Sequence, residues 1–249
     1  LVMVINMPNK INKSTFHIPN GNFSPIKTII NSISKQEKLF ATQLSVKYHE
    51  FTYLKLLLNN NFILIENDTL CKYELIYATE NNFLNQNVYH DFNYCLLHKL
   101  AYDKLQISKK YIKKNYPGLQ LKIYDAFRPL FIQQKMWEIV KLSPEQRYIS
   151  DPANGSLHNF GMALDLTLIE KSTQQELDMG TAFDDFSPKA QPQMELKHLQ
   201  QGELTQNQIN NRKILREIMI AGGFESIPNE WWHFQAINKS RAQAKYKVF

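Results

Sequence analysis

Three short segments carry polar, chemically competent side chains where an apolar core would not place them: Asp125-Ala126-Phe127-Arg128-Pro129, Ser156-Leu157-His158-Asn159-Phe160-Gly161-Met162-Ala163-Leu164-Asp165, and Glu230-Trp231-Trp232-His233. His158, Asp165 and His233 offer two imidazole nitrogens and one carboxylate oxygen. That is the donor set of a catalytic zinc, which takes three protein ligands and keeps a fourth position open for water. The ion retains net positive charge in such a set and lowers the pKa of its water toward roughly 7. Glu230, just ahead of His233, is the candidate general base that takes the proton and hands it to a leaving amine. Three residues along a regular strand reverse the face, so this role requires Glu230 to sit in the turn before the strand or at a bulge. Pro228-Asn229 supplies a turn signal. Attack of water on an amide creates an oxyanion, and Arg128 is the candidate to stabilise it, with a structural pairing to Asp125 as the competing reading. His17, His49, His90, His98 and His198 lack any such context and are expected to be structural.

The elements that must position these residues are legible in part. Residues 75–79 read as a short strand and 81–85 as the loop after it. Leu97, Leu100, Ala101 and Leu105 repeat at helical spacing, predicting a helix from Cys95 to about Tyr116 that Pro117-Gly118 ends. Residues 121–127 alternate and read as a strand running into Arg128-Pro129. Ile132, Met136, Ile139 and Val140 form the next helical stripe, closed by Ser143-Pro144. In residues 162–168, Leu164, Leu166 and Leu168 share one face, so Asp165 projects from the other with Ala163 and Thr167. Ile214, Leu215, Ile218 and Met219 mark a last helix stopping at Gly222-Gly223. Helices and short strands alternate without the rhythm of a nucleotide-binding fold, which points to α+β architecture with a small central antiparallel sheet flanked by helices.

Composition narrows the alternatives. The 249 residues are 43% hydrophobic and 21% charged, an ordinary globular mix able to bury a sizeable core. The excess of 29 Lys+Arg over 23 Asp+Glu is not gathered into a nucleic-acid stripe; the densest patch, Lys109, Lys110, Lys113 and Lys114, reads as the solvated face of a helix. No phosphate loop, GxGxxG or zinc-finger spacing occurs, so nucleotide and nucleic-acid partners are not expected. Cys71 and Cys95 form neither a disulfide framework nor a CxxC pair and are expected to be small buried residues. Apolar runs fall far short of the roughly 20 residues needed to span a bilayer. The opening Leu1-Val2-Met3-Val4-Ile5 lacks a basic leader, so a cytoplasmic location is favoured, with a periplasmic one open if an upstream signal has been removed. Residues 1–68, rich in Asn, Lys, Ser and Ile, are expected to be an N-terminal extension or cap, and residues 69–249 the catalytic domain.

From about Glu74 to Phe234 the sequence resembles the zinc D-alanyl-D-alanine dipeptidases of the vancomycin-resistance type, within the wider group of D,D-peptidases and Hedgehog-like metal proteins. The resemblance is carried by Ile76-Tyr77-Ala78-Thr79 with Asn82-Phe83, by residues 125–129, 156–165 and 230–233, and by Met179-Gly180-Thr181-Ala182-Phe183-Asp184. It implies a Hedgehog/D,D-peptidase-like fold and one zinc ion per chain held by His158, Asp165 and His233, with Glu230 as base and Arg128 as transition-state stabiliser. It further implies that Asp184 and Ser156 hold the free ammonium group of the substrate, which would select a free dipeptide, D-Ala-D-Ala, over longer wall peptides. The alternatives are a D,D-carboxypeptidase or peptidoglycan endopeptidase with the same metal chemistry, and a metal-stabilised module that binds wall fragments without cleaving them. The presence of Glu230 argues against the last.

Overall fold

The computed structural model describes residues 50, 52–90 and 92–249; His17, His49 and most of the expected extension lie outside the described residues. Residues Glu50–Phe249 form one compact unit. In chain order it contains helix α1 over residues 52–59, strands β1 (Phe62–Leu64), β2 (Cys71–Tyr73) and β3 (Leu96–His98), and helix α2 (Lys99–Asn115). Strand β4 (Leu119–Asp125), helix α3 (Leu130–Ile139) and strand β5 (Ala163–Glu170) follow. The unit closes with helices α4 (Glu195–Gln200) and α5 (Gln206–Ala221), strands β6 (Glu225–Ser226) and β7 (His233–Gln235), and helix α6 (Lys239–Lys245).

The main sheet has the order β2-β4-β5-β7-β6. Its ladders are antiparallel except at the β2 edge, where Cys71–Tyr73 runs parallel to β4, so the expected antiparallel sheet is in fact mixed at one edge. Strand β5 lies at its centre because both of its faces are covered: every residue from Ala163 to Ile169 is buried. Leu164, Leu166 and Leu168 join a core with Leu105, Leu215 and Met219, from helices α2 and α5. The opposite face, with Asp165, is left for chemistry.

Two expected elements differ. Residues 75–79 hold a 3-10 turn, Ile76–Ala78, where a strand was expected; the Ala78 and Thr79 amides donate back to Leu75 and Ile76, and Tyr77 is buried. Helix α2 begins at Lys99 and not at Cys95, because Leu96–His98 pairs antiparallel with β1 and the His98 ring caps the helix by accepting the Leu100 amide at 3.2 Å. Phe62 of β1 packs against Phe127 with ring centroids 4.7 Å apart, which ties residues before 68 to the segment beside Arg128. Cys71 and Cys95 are free and buried, and burial pushes the Cys71 thiol up to about 12, so neither is reactive. Helix α2 turns Lys110, Lys113 and Lys114 to solvent, while Lys109 pairs with Asp68. Among the described residues no helix is long and apolar enough to cross a membrane.

Candidate metal centre

Three neighbouring strands present one row of polar residues. Asp125 on β4 lies opposite Asp165 on β5, which lies opposite His233 on β7. A register shift between Ile123 and Asp125 accompanies the Asp125 position, a distortion of the kind that re-aims side chains beside functional sites. His158 arrives from the 3-10 turn Leu157–Phe160 directly ahead of β5.

That turn explains its own sequence. Ser156 caps it, and the Asn159 side chain completes the box by accepting the Ser156 amide at 2.6 Å while its own amide donates to the Arg128 carbonyl at 2.8 Å. Gly161 ends the turn at φ 63°, where a Cβ would lie 2.5 Å from Phe62 and 2.7 Å from the His98 nitrogen, so only glycine fits. The Arg128 amide donates back to the His158 carbonyl, locking the two segments together.

His158 Nε2 lies 3.3 Å from His233 Nδ1 and 3.3 Å from Asp165 Oδ2, and His233 Nδ1 lies 2.9 Å from Asp165 Oδ1. Donors bound tetrahedrally at about 2.0–2.1 Å stand roughly 3.3 Å from one another, so the arrangement fits a small divalent ion after a shift of a few tenths of an ångström. His158 Nδ1 faces the Ala126 carbonyl at 2.6 Å. Donation there puts the proton on Nδ1 and leaves the Nε2 lone pair aimed at the other two donors. Burial raises the Asp165 carboxyl, yet the adjacent His158 and His233 hold it well below the usual carboxylate range. Burial lowers His233, but its hydrogen bond to Asp165 outweighs this and raises it. The other histidines stay apart: His198 bonds Glu203, His98 caps α2, and His90 contacts Lys135.

Glu230 lies in the bend before β7, as its proposed role requires, with Oε2 4.0 Å from His233 Nδ1. Burial raises its carboxyl, and the Asp165 charge adds to this against the pull of His233. Arg128 makes the pairing anticipated as its competing reading: Nε and one terminal nitrogen donate to Asp125 Oδ2 at 3.0 and 2.7 Å, and the other terminal nitrogen donates to Gln133 at 3.0 Å. Each terminal nitrogen retains a second N–H. The guanidinium also lies over the Tyr77 ring at 5.0 Å and lines the same cavity as the triad, so pairing with Asp125 orients it without saturating it.

This cavity, about 220 Å³, is lined by His158, Asp165, His233, Glu230, Arg128, Ser156 and Asp184, so every expected site residue reaches one space. It is smaller than the roughly 300–1,000 Å³ of sites for drug-sized ligands. Asp184 sits at φ 60°, and the Tyr77 hydroxyl donates to its two oxygens at 3.1 and 2.9 Å. Burial pushes the Asp184 carboxyl well above its usual range; the Tyr77 bond opposes this and the Asp165 charge reinforces it. Among the described residues no cation forms an ion pair with Asp184. Sequence reasoning quoted Tyr77 only as part of a motif and gave no role to Tyr89, whose hydroxyl donates to Asp125 at 2.6 Å. Tyr77 lies in a 3-10 turn and Tyr89 in an irregular segment, where no periodicity marks a side chain.

The chain is 37% identical over 162 residues to the D-alanyl-D-alanine dipeptidase of Escherichia coli (strain K12), covering 65% of this chain and 77% of that protein. It is 31% identical over 148 residues to the D-alanyl-D-alanine dipeptidase of Synechocystis sp., covering 47% of this chain and 60% of that protein. The protein of the same name from Enterococcus faecium is 35% identical over 82 residues, covering 33% of this chain and 37% of its own length. Residues 68–249, which contain all of the cavity residues named above, match the D-ala-D-ala dipeptidase family profile, and the chain therefore belongs to that family of peptidases.

Proposed function

We infer that this chain hydrolyses the free dipeptide D-Ala-D-Ala to two molecules of D-Ala, with one zinc ion held by His158, Asp165 and His233. Zinc, when bound at such a site, supplies Lewis-acid polarisation and acidifies water near neutral pH. The Glu230 carboxylate takes the proton of the attacking water and delivers it to the amine nitrogen as the C–N bond breaks; its raised pKa suits both transfers. Arg128, held by Asp125 and Gln133, aims its remaining N–H groups at the oxygen on which negative charge develops. The Ala126 carbonyl keeps His158 in the tautomer that presents Nε2.

The observation that carries the substrate reading is Asp184, a partly buried carboxylate beside the triad whose only hydrogen-bond donor among the described residues is the neutral Tyr77 hydroxyl. A substrate ammonium supplies the missing cation, with Ser156 lining the same space. An acylated peptide has no ammonium there and would leave the carboxylate unpaired, at a cost of several kcal/mol. We further propose that residues 69–249 form the catalytic domain on a Hedgehog/D,D-peptidase-like fold. Residues 1–68 are the extension, and its portion from α1 through β1 packs into the catalytic body.

Hydrolysis of D-Ala-D-Ala, L-Ala-L-Ala and N-acetyl-D-Ala-D-Ala by the zinc-loaded protein tests this reading. Strong preference for D-Ala-D-Ala is expected. Preference for the acylated peptide would identify a D,D-carboxypeptidase instead, and zinc-loaded protein that binds but cleaves none of the three would identify a binding module.

A further inference from the structure

We propose that Lys239 binds the C-terminal carboxylate of the dipeptide and so sets the end-to-end polarity with which the substrate lies across the metal centre. The inference rests on the reading of the site as a free-dipeptide hydrolase. A dipeptide zwitterion brings two opposite charges into the cavity, and Asp184 answers only the positive one.

Two non-histidine cations line this space, Arg128 and Lys239. Arg128 is already engaged with Asp125 and Gln133 beside the triad. Lys239 is partly buried at the start of α6, and no hydrogen bond or ion pair engages its ammonium among the described residues. Every other side chain on helix α6 is outside the cavity lining, and Asn238 caps the helix by accepting the Arg241 amide, which leaves Lys239 free to turn inward.

The two charges lie toward opposite ends of β7. Phe183, next to Asp184, packs on Trp232 with centroids 5.4 Å apart, just before the strand. Lys239 comes after Gln235, the last residue of the strand, whose side chain also lines the cavity. His233 lies between them. The extended stretch from Trp232 through the strand to Gln235 spans roughly 10 Å at about 3.3 Å per residue, and a two-residue peptide extends over roughly 7 Å. The order Asp184, metal donors, Lys239 therefore matches the order ammonium, scissile carbonyl, carboxylate. A lysine head on a flexible stem suits a single carboxylate at a partly open rim.

The test compares D-Ala-D-Ala with its C-terminal amide, D-Ala-D-Ala-NH2, on zinc-loaded wild type, Lys239→Met and Lys239→Arg. Wild type should favour the acid by about 10- to 100-fold in kcat/KM, the range for a charge-assisted hydrogen bond. Lys239→Met should raise KM for the acid by a similar factor with kcat within about threefold, and should lose the preference for acid over amide. Lys239→Arg should restore part of both. Wild type that hydrolyses acid and amide alike, or a Lys239→Met protein that keeps the wild-type preference, overturns the proposal while leaving the dipeptidase reading intact. A loss confined to kcat also overturns it, since that marks an interaction made only in the transition state and not one that holds the bound carboxylate. Zinc-loaded wild type that leaves D-Ala-D-Ala intact overturns the dipeptidase reading and this proposal together.

Discussion

Replacing Tyr77 with Phe removes one hydroxyl and little else. The Phe ring keeps the face over which the Arg128 guanidinium lies at 5.0 Å, and the site is buried, so the change isolates the hydrogen bond to the Asp184 oxygens at 3.1 and 2.9 Å. Burial and the Asp165 charge raise the Asp184 carboxyl, and the Tyr77 bond is what chiefly opposes them. A hydrogen bond to a charged group contributes about 1.5–3 kcal/mol. At about 1.36 kcal/mol per pH unit, its loss raises the carboxyl by roughly one to two further units. Only ionised Asp184 attracts the substrate ammonium, so KM falls as pH rises through the Asp184 pKa. In Tyr77→Phe the midpoint of that fall should move up by roughly one to two units, and KM on its acid side should rise about 10- to 100-fold with kcat little changed. Initial rates of D-Ala release, measured across pH at fixed zinc, give both constants. A midpoint that stays in place or moves down would refute the assignment of Asp184 as the ammonium anchor.

Other consequences concern the base, the turn and the metal-ligand set. Glu230→Ala should retain one zinc per chain by metal analysis yet lose at least about 10²-fold in kcat, the usual contribution of a general base; unchanged turnover would remove Glu230 from the mechanism. Gly161→Ala should destabilise the fold by about 2 kcal/mol or more, because the left-handed turn disfavours a Cβ that would also meet Phe62 at 2.5 Å; thermal unfolding checks this, and an unchanged midpoint would contradict it. Metal-free protein should be more stable in mild acid than in mild base. The depressed Asp165 carboxyl stabilises fully above its unfolded value of about 3.9 and ceases to do so as pH falls through its folded value. The raised His233 stabilises fully below about 6.5 and ceases to do so as pH rises through its folded value. Urea midpoints should therefore be higher at pH 5 than at pH 8.5, where the raised Asp184 and Glu230 carboxyls add to the loss from His233, and Asp165→Asn should reduce the difference; a maximum at pH 8.5 would contradict the pairing.

The site was more legible in the sequence than the sheet that carries it. Alternation along residues 162–168 placed Asp165 opposite the leucine face, and the Pro228-Asn229 turn anticipated where Glu230 sits, because both are local properties of the chain. Pairing is not local. Nothing in the residues around Cys71 announces that β2 runs parallel to β4, or that Leu96–His98 will leave a helical pattern to pair with β1. The run at 75–79 was too short to separate a strand from a turn by periodicity; what decides it is Tyr77, whose burial brings its hydroxyl to Asp184, 107 residues away in the chain. The competing reading of Arg128 was also half right, since a single guanidinium both pairs with Asp125 and lines the cavity.

The most direct test is titration of metal-free protein with zinc while D-Ala-D-Ala hydrolysis is followed, in parallel with His158→Ala. Activity should rise in proportion to added zinc and level off at one equivalent per chain, and the His158→Ala protein should neither retain the ion nor turn over substrate. Full activity without metal, or zinc held undiminished by His158→Ala, would contradict the assignment of His158, Asp165 and His233 as the catalytic metal centre.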